Sequence, residues 1–171
     1  MSITMIAEAA PDHSQIQAEV SGFLARFKTL VLATLSEAQL PDCSTAPFLL
    51  DKDGNIYVYL SELAQHTKNL LANPAASLMM IADETASNNL FARQRLTLQA
   101  NAVEIAPGNP EYELILDKME SELGNTIQVL RTLPDFHLFK FLVQRANYVQ
   151  GFAKAYALQW PALEVIEHRH N

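Results

Sequence analysis

The stretch CSTAPFLLDKDGNIYVYLS, residues 43–61, decides the fold. Two apolar, β-prone runs, CSTAPFLL (43–50) and IYVYLS (56–61), flank the polar turn Asp51–Lys52–Asp53–Gly54–Asn55. Asp-Gly between two apolar runs supplies the backbone freedom of a tight hairpin. Upstream, LVLATL (30–35) is a third run of the same kind, separated by the polar SEAQLPD. Three strands joined by short turns read as an antiparallel meander.

Working outward, residues 1–12 read as an N-terminal tail. Ile16, Val20, Phe23, Leu24 and Phe27 then recur at three- and four-residue spacing, which predicts a helix over 13–28. ELAQHTKNLLA (62–72) returns to helical spacing and is stopped by Asn73–Pro74. ASLMMIAD (76–83) and RQRLTLQANAVEIA (93–106) read as strands, with the loop ETASNN between them. After Pro107–Gly108–Asn109–Pro110, residues 110–123 and 125–132 read as helices. FHLFKFLV (136–143) and YVQGFAKAYAL (148–158) read as strands joined by a turn at Gln144–Asn147. Residues 161–171 read as a C-terminal tail, adding at most a last short strand, and 13–160 as the folded domain. About six strands without βαβ alternation, and without a Gly-rich phosphate loop, disfavour a Rossmann or P-loop fold. The pattern fits an α+β protein, an antiparallel barrel with helices packed outside.

Composition agrees. The chain has 171 residues, one domain's length, with 49% hydrophobic and 18% charged residues, which is globular. Its net charge of −7 argues against sequence-independent nucleic-acid binding. Cys43 is the single cysteine, so neither an internal disulfide nor a cysteine-cluster metal site can form. The N-terminus lacks the pattern of a signal peptide, and no apolar run reaches the roughly 18 residues of a membrane span. The expectation is a soluble cytoplasmic protein.

Four groups of residues could carry chemistry. His66, Thr67 and Lys68 lie in the helix after IYVYLS, where backbone N–H groups and a basic side chain suit an anion; a solvated helix face is the plainer account. Arg93 and Arg95 are two apart at a strand start, so both guanidiniums face one side as a fork for carboxylate or phosphate. A charge-protected edge strand has the same pattern. In the last residues, His168 and His170 are candidate axial ligands to haem iron, or simply tail residues. Asp135 is a turn cap, or a carboxylate that takes the N–H of a ligand histidine. His137, alternating with apolar neighbours, reads as a half-exposed strand residue.

The run from ATLSEAQ to IADE resembles the first half of a pyridoxamine-phosphate-oxidase-like, FMN-binding split barrel. The HTKNL helix followed by NP, the LFARQRLTL segment and GFAKAY near the end resemble the haem-utilisation proteins of the HugZ/HutZ type. The resemblance spans about residues 18–158. It implies a six-stranded antiparallel split β-barrel with flanking helices, dimeric, with ligand sites at the cleft between protomers. It also implies a homodimer that binds haem and degrades it with O2 and an electron donor, releasing iron. By the same resemblance His170 or His168 is the iron ligand. Asp135 matches the carboxylate that holds the ligand histidine across the dimer. Arg93 or Arg95 contacts propionates or lines the distal side, and His66 lies near the propionates. The alternatives are an FMN-binding oxidoreductase, with Thr67 and Lys68 on the phosphate, and a haem carrier without turnover. Flavin members often carry lysine or arginine where His66 stands.

Overall fold

The structure is a computed structural model and describes residues 12–169. In chain order the elements are α1 (His13–Leu24), β1 (Thr29–Leu35), β2 (Pro41–Pro47), β3 (Leu49–Leu50), β4 (Ile56–Ser61) and α2 (Gln65–Ala72). There follow β5 (Ala75–Ile81), a 3-10 turn (Leu90–Ala92), β6 (Arg95–Ile105), α3 (Pro110–Leu123) and α4 (Thr126–Leu130). The chain ends in β7 (Phe136–Gly151), β8 (Lys154–Gln159) and β9 (Glu164–Arg169).

Every strand pair is antiparallel, in the order β2-β1-β5-β6-β7-β4-β3, with β8 and β9 added beside β7. The two ends of this path, β2 and β3, are one run of chain interrupted only by the buried Phe48. Its amide donates to Lys28 O at 3.1 Å, which turns the chain from one sheet edge to the other and closes the barrel. CSTAPFLL therefore forms two short strands rather than one.

The sixteen-residue β7 runs through the turn expected at Gln144–Asn147. Its first half pairs with β4 and its second with β8, while β6 spans both. The bulge at Gln99/Ala100 lets β6 follow that bend. The described part of the expected C-terminal tail contains β9, paired to β8. The antiparallel α+β architecture is as read from the sequence, with nine strands instead of six; the expected tail at residues 1–11 lies outside the described residues.

Two apolar clusters explain the strand patterns. Ile56, Val58, Leu60, Phe139, Phe141, Leu96, Leu98, Leu30 and Leu32 point into the barrel. Tyr57, Tyr59, Ile105 and Leu138 point outward, under Tyr112, Ile115, Leu116 and Met119 of α3. Hence β4 reads as unbroken apolar sequence: both faces are covered. Each fully buried aliphatic or aromatic side chain contributes about 1.5–3 kcal/mol. Helix α1 sends Ile16, Val20, Phe23 and Leu24 into the barrel cluster, at the three- and four-residue spacing that a single face requires. Its N-cap Asp12 accepts from the Ser14 N–H at 3.0 Å.

The hairpin that decides the fold is also tied to the last one. Trp160 Nε1 donates to Gly54 O at 3.0 Å, and Gly54 has φ +81°. A Cβ there would sit 2.3 Å from Pro161 Cβ. Gly54→Ala is expected to lower stability by more than about 1 kcal/mol, from both strain and clash. Urea unfolding checks this; an unchanged midpoint would remove the inferred coupling between the two hairpins.

Candidate functional site

The two ends of the barrel differ. Strand β1 begins beside α1 and ends beneath α2, so register assigns each candidate residue to one end or the other.

At the α2 end a buried polar lattice holds the helix. Asn69, 2% exposed, donates from Nδ2 to Thr34 Oγ1 at 2.9 Å. Thr67, fully buried, donates from Oγ1 to Ser61 O at 2.6 Å. Both satisfy groups that would otherwise be costly to bury. One turn of helix places His66 beside β2, where its Nδ1 lies 2.8 Å from Ser44 Oγ. Burial holds the His66 pKa below its ordinary value, with Asp42 partly opposing, so the neutral imidazole is favoured. Lys68 is exposed.

Asp135 joins the same end. Its Oδ2 accepts from Ser61 Oγ at 2.5 Å, and its carbonyl accepts from the Glu62 N–H at 2.8 Å. Ser61 thus connects Asp135 to the first turn of α2. An ionised carboxylate offers about four acceptor directions, so this half-buried group keeps capacity for a further N–H.

Arg93 and Arg95 lie at the α1 end. Arg95 opens β6 opposite Ile81 and Val149, whereas Arg93 precedes the strand at the end of the 3-10 turn. Arg93 donates from Nε and Nη2 to Ala82 O at 3.2 and 2.6 Å, and from Nη1 to Glu84 at 3.0 Å. Arg95 Nη1 donates to Arg93 O at 3.0 Å. These bonds fix the guanidiniums differently from the simple same-side fork that strand alternation suggests. The cleft at Arg93 measures about 610 Å³ and takes a second guanidinium, from Arg26 of the α1–β1 connection. Arg26 carried no sequence signal of its own.

Between the Arg95 end and the Ile105 end, β6 runs ten residue steps, roughly 33 Å of strand. Within one protomer, therefore, the arginines are not brought to Asp135. His168 lies on β9 directly opposite Tyr156, and the two rings stack with centroids 4.5 Å apart. His170 lies outside the described residues. Among the described residues no group of three or more His, Cys, Asp and Glu is arranged to hold a metal ion. None of their helices is long and apolar enough to cross a membrane.

A closed antiparallel barrel with a buried polar lattice under one short helix defines a split-barrel protein. The family profile of pyridoxamine 5'-phosphate oxidase matches residues 16–150. Heme oxygenase HutZ of Vibrio cholerae is 37% identical over 142 residues, covering 83% of this chain and 80% of that protein. A crystal structure of HutZ, described as the heme storage protein of V. cholerae, matches with TM-score 0.71 at 36% identity, over 75% of this chain and 90% of that one. ChuZ of Campylobacter jejuni matches with TM-score 0.83 at 29% identity, over 96% of this chain and 68% of that one. The chain belongs to the pyridoxamine 5'-phosphate oxidase family, in its HutZ-type haem-utilisation branch.

Asn69→Ala is expected to destabilise the protein by about 1–3 kcal/mol, because the buried Thr34 hydroxyl loses its donor and a void replaces the amide. Thr67→Val, nearly isosteric, is expected to cost less than Asn69→Ala. Thermal unfolding of both variants checks the order; the reverse order would mean that the Thr67 bond, not the Asn69 bond, anchors α2.

Proposed function

We propose that this protein binds haem and degrades it oxidatively, using O2 and an electron donor and releasing iron. The observation that carries the reading is 37% identity to a heme oxygenase over 83% of the chain. The site chemistry supports it. Haem, the substrate, supplies the redox-active iron; the protein supplies a ligand, a carboxylate that orients that ligand, and anion contacts. His170 is the ligand in this reading, and Asp135 accepts the N–H of its other ring nitrogen, fixing the tautomer and raising basicity. His168 is the lesser candidate because its ring is stacked on Tyr156. Arg93 and Arg95, with Arg26, are the propionate contacts. His66, favoured as neutral imidazole, lies at the propionate region as a hydrogen-bonding rather than a charged contact.

This assignment requires a second copy. The arginines and Asp135 occupy opposite ends of one barrel, so a site using both is built from two protomers. The outward rows Val31–Met79–Thr97–Asn147 and Ala33–Ser77–Gln99–Arg145 run across four strands and remain at least partly exposed. Small and moderately polar side chains on a broad sheet suit an isologous interface.

An FMN site would draw on Thr67 and Lys68 for the phosphate. The Thr67 hydroxyl is fully buried and donates to Ser61 O, which weighs against that reading. The description of a related structure as a heme storage protein supports the carrier alternative.

The test is a haemin titration followed by ascorbate in air. Degradation predicts a saturable Soret band that bleaches; a stable band supports a carrier, and flavin in the purified protein without saturable haemin binding supports the FMN reading. His170→Ala is expected to abolish turnover, and Asp135→Ala to slow it on the order of 10–100-fold. Wild-type rates in both variants would overturn the ligand and carboxylate assignments.

A further inference from the structure

His137 is the second residue of β7, two after Asp135, and both of its ring nitrogens meet carboxylates. Nε2 lies 2.6 Å from Glu62 Oε1 and Nδ1 lies 2.6 Å from Glu104 Oε1. Neutral imidazole has one N–H and one lone pair, so it can donate to one carboxylate only; the imidazolium donates to both. The three side chains come from the turn after β4, from β7 and from β6. Glu62 follows the inward row Ile56–Val58–Leu60, His137 precedes Phe139 and Phe141, and Glu104 follows Ala100 and Ala102. They extend the barrel's inward-facing rows by one position each, so the charged triad closes the α2 end of the core. The His137 ring also stacks on Phe139, with centroids 6.2 Å apart.

We propose that His137 is a positioning residue: its imidazolium clamps Glu62 and Glu104 and thereby holds the 61–67 segment that orients Asp135 and the first turn of α2. Glu62 is the joint. Its side chain meets His137, and its N–H donates to Asp135 O at 2.8 Å. The preceding residue, Ser61, donates to the Asp135 carboxylate and accepts from Thr67. The clamp's role toward Asp135 in catalysis rests on the haem reading above; the clamp itself does not.

The titratable groups facing the ring are Glu62 from the end of β4 and Glu104 from β6. Asp135, just before the strand, is bonded to Ser61; on α2, His66 meets Ser44 and Lys68 is exposed. Burial alone would lower the His137 pKa, but the hydrogen bonds to Glu104 and Glu62 and their charges outweigh it and raise it. A raised folded-state value means that the clamp contributes fully below the unfolded value of about 6.5 and is lost as pH rises through the folded value.

The experiment uses the full chain without haem. The His137 ring is followed by NMR across pH in the wild type, Glu62→Gln and Glu104→Gln. Each near-isosteric amide is expected to move the titration midpoint down by on the order of one pH unit. In parallel, His137→Gln is expected to melt roughly 2–4 °C lower than wild type near pH 6, with the two curves converging at alkaline pH. The Glu62 amide is expected to exchange with solvent about tenfold faster in His137→Gln near pH 6. Ring titration at or below the ordinary value, or parallel melting curves at all pH values, would overturn the clamp. Unchanged Glu62 exchange would overturn the positioning role. Because haem is absent, these failures are distinguishable from failure of the haem reading, which the Soret titration alone decides.

Discussion

Barrel closure at Phe48 is the constraint on which the rest depends. A single run of chain supplies both terminal strands of the sheet path, so β2 and β3 are fixed relative to each other by covalent connection. Closure removes the open edge there and makes an inside and an outside. Once they exist, β4 must be apolar on both faces, because the barrel core lies on one side and α3 on the other. The Asp-Gly hairpin is what returns the chain from β3 to β4 in that register, and its Gly54 accepts the close approach of Pro161.

A closed barrel still has two ends, and apolar rows cannot continue into water. Here each end is finished by a different polar device. At the α1 end, Glu19 accepts from the Tyr148 hydroxyl at 2.5 Å and from the Gln94 and Gln150 amides at 3.0 and 2.6 Å. This ties the helix to β6, β7 and their lead-in. At the α2 end the Thr34–Asn69 and Ser61–Thr67 bonds hold the helix, and the His137 triad closes the rows beside it. The candidate ligand residues therefore sort by end: guanidiniums with α1, Asp135 and His66 with α2. The length of β6 keeps the guanidiniums apart from Asp135.

Much of this was legible in the sequence. Asp-Gly between apolar runs marked the hairpin, Asn73–Pro74 stopped α2, and the helix read over 110–123 after the Pro107–Pro110 break is α3 at its observed bounds. The turn expected at Gln144–Asn147 failed for a physical reason. Polar residues there lie in the part of β7 where the sheet face is exposed, so polarity reported solvent, not a break. Likewise, the Arg93/Arg95 spacing gave proximity, but not the Ala82 carbonyl that captures Arg93. That acceptor comes from β5's exit and has no local signature. His137 was read from its neighbours as an ordinary strand position. Its significance comes from Glu62 and Glu104, 75 and 33 residues away. Long-range pairing of this kind becomes visible only once the inward rows are aligned.

The two histidines at the α2 end pull stability in opposite directions. His66 is favoured neutral by burial, so the unfolded chain binds its proton more readily, and folding becomes less favourable as pH falls through the unfolded value near 6.5. His137 is favoured charged by two carboxylates, so its contribution is present below that value and declines as pH rises through its raised folded value. The two effects meet near 6.5: below it the His66 proton costs stability, and above it the His137 contribution declines. The segment between them, Ser61 to Thr67, is bonded to Asp135 at one end and carries His66 beside the other. The same segment that orients the Asp135 carboxylate, through Ser61 and the Glu62 N–H, therefore carries both proton-dependent contacts.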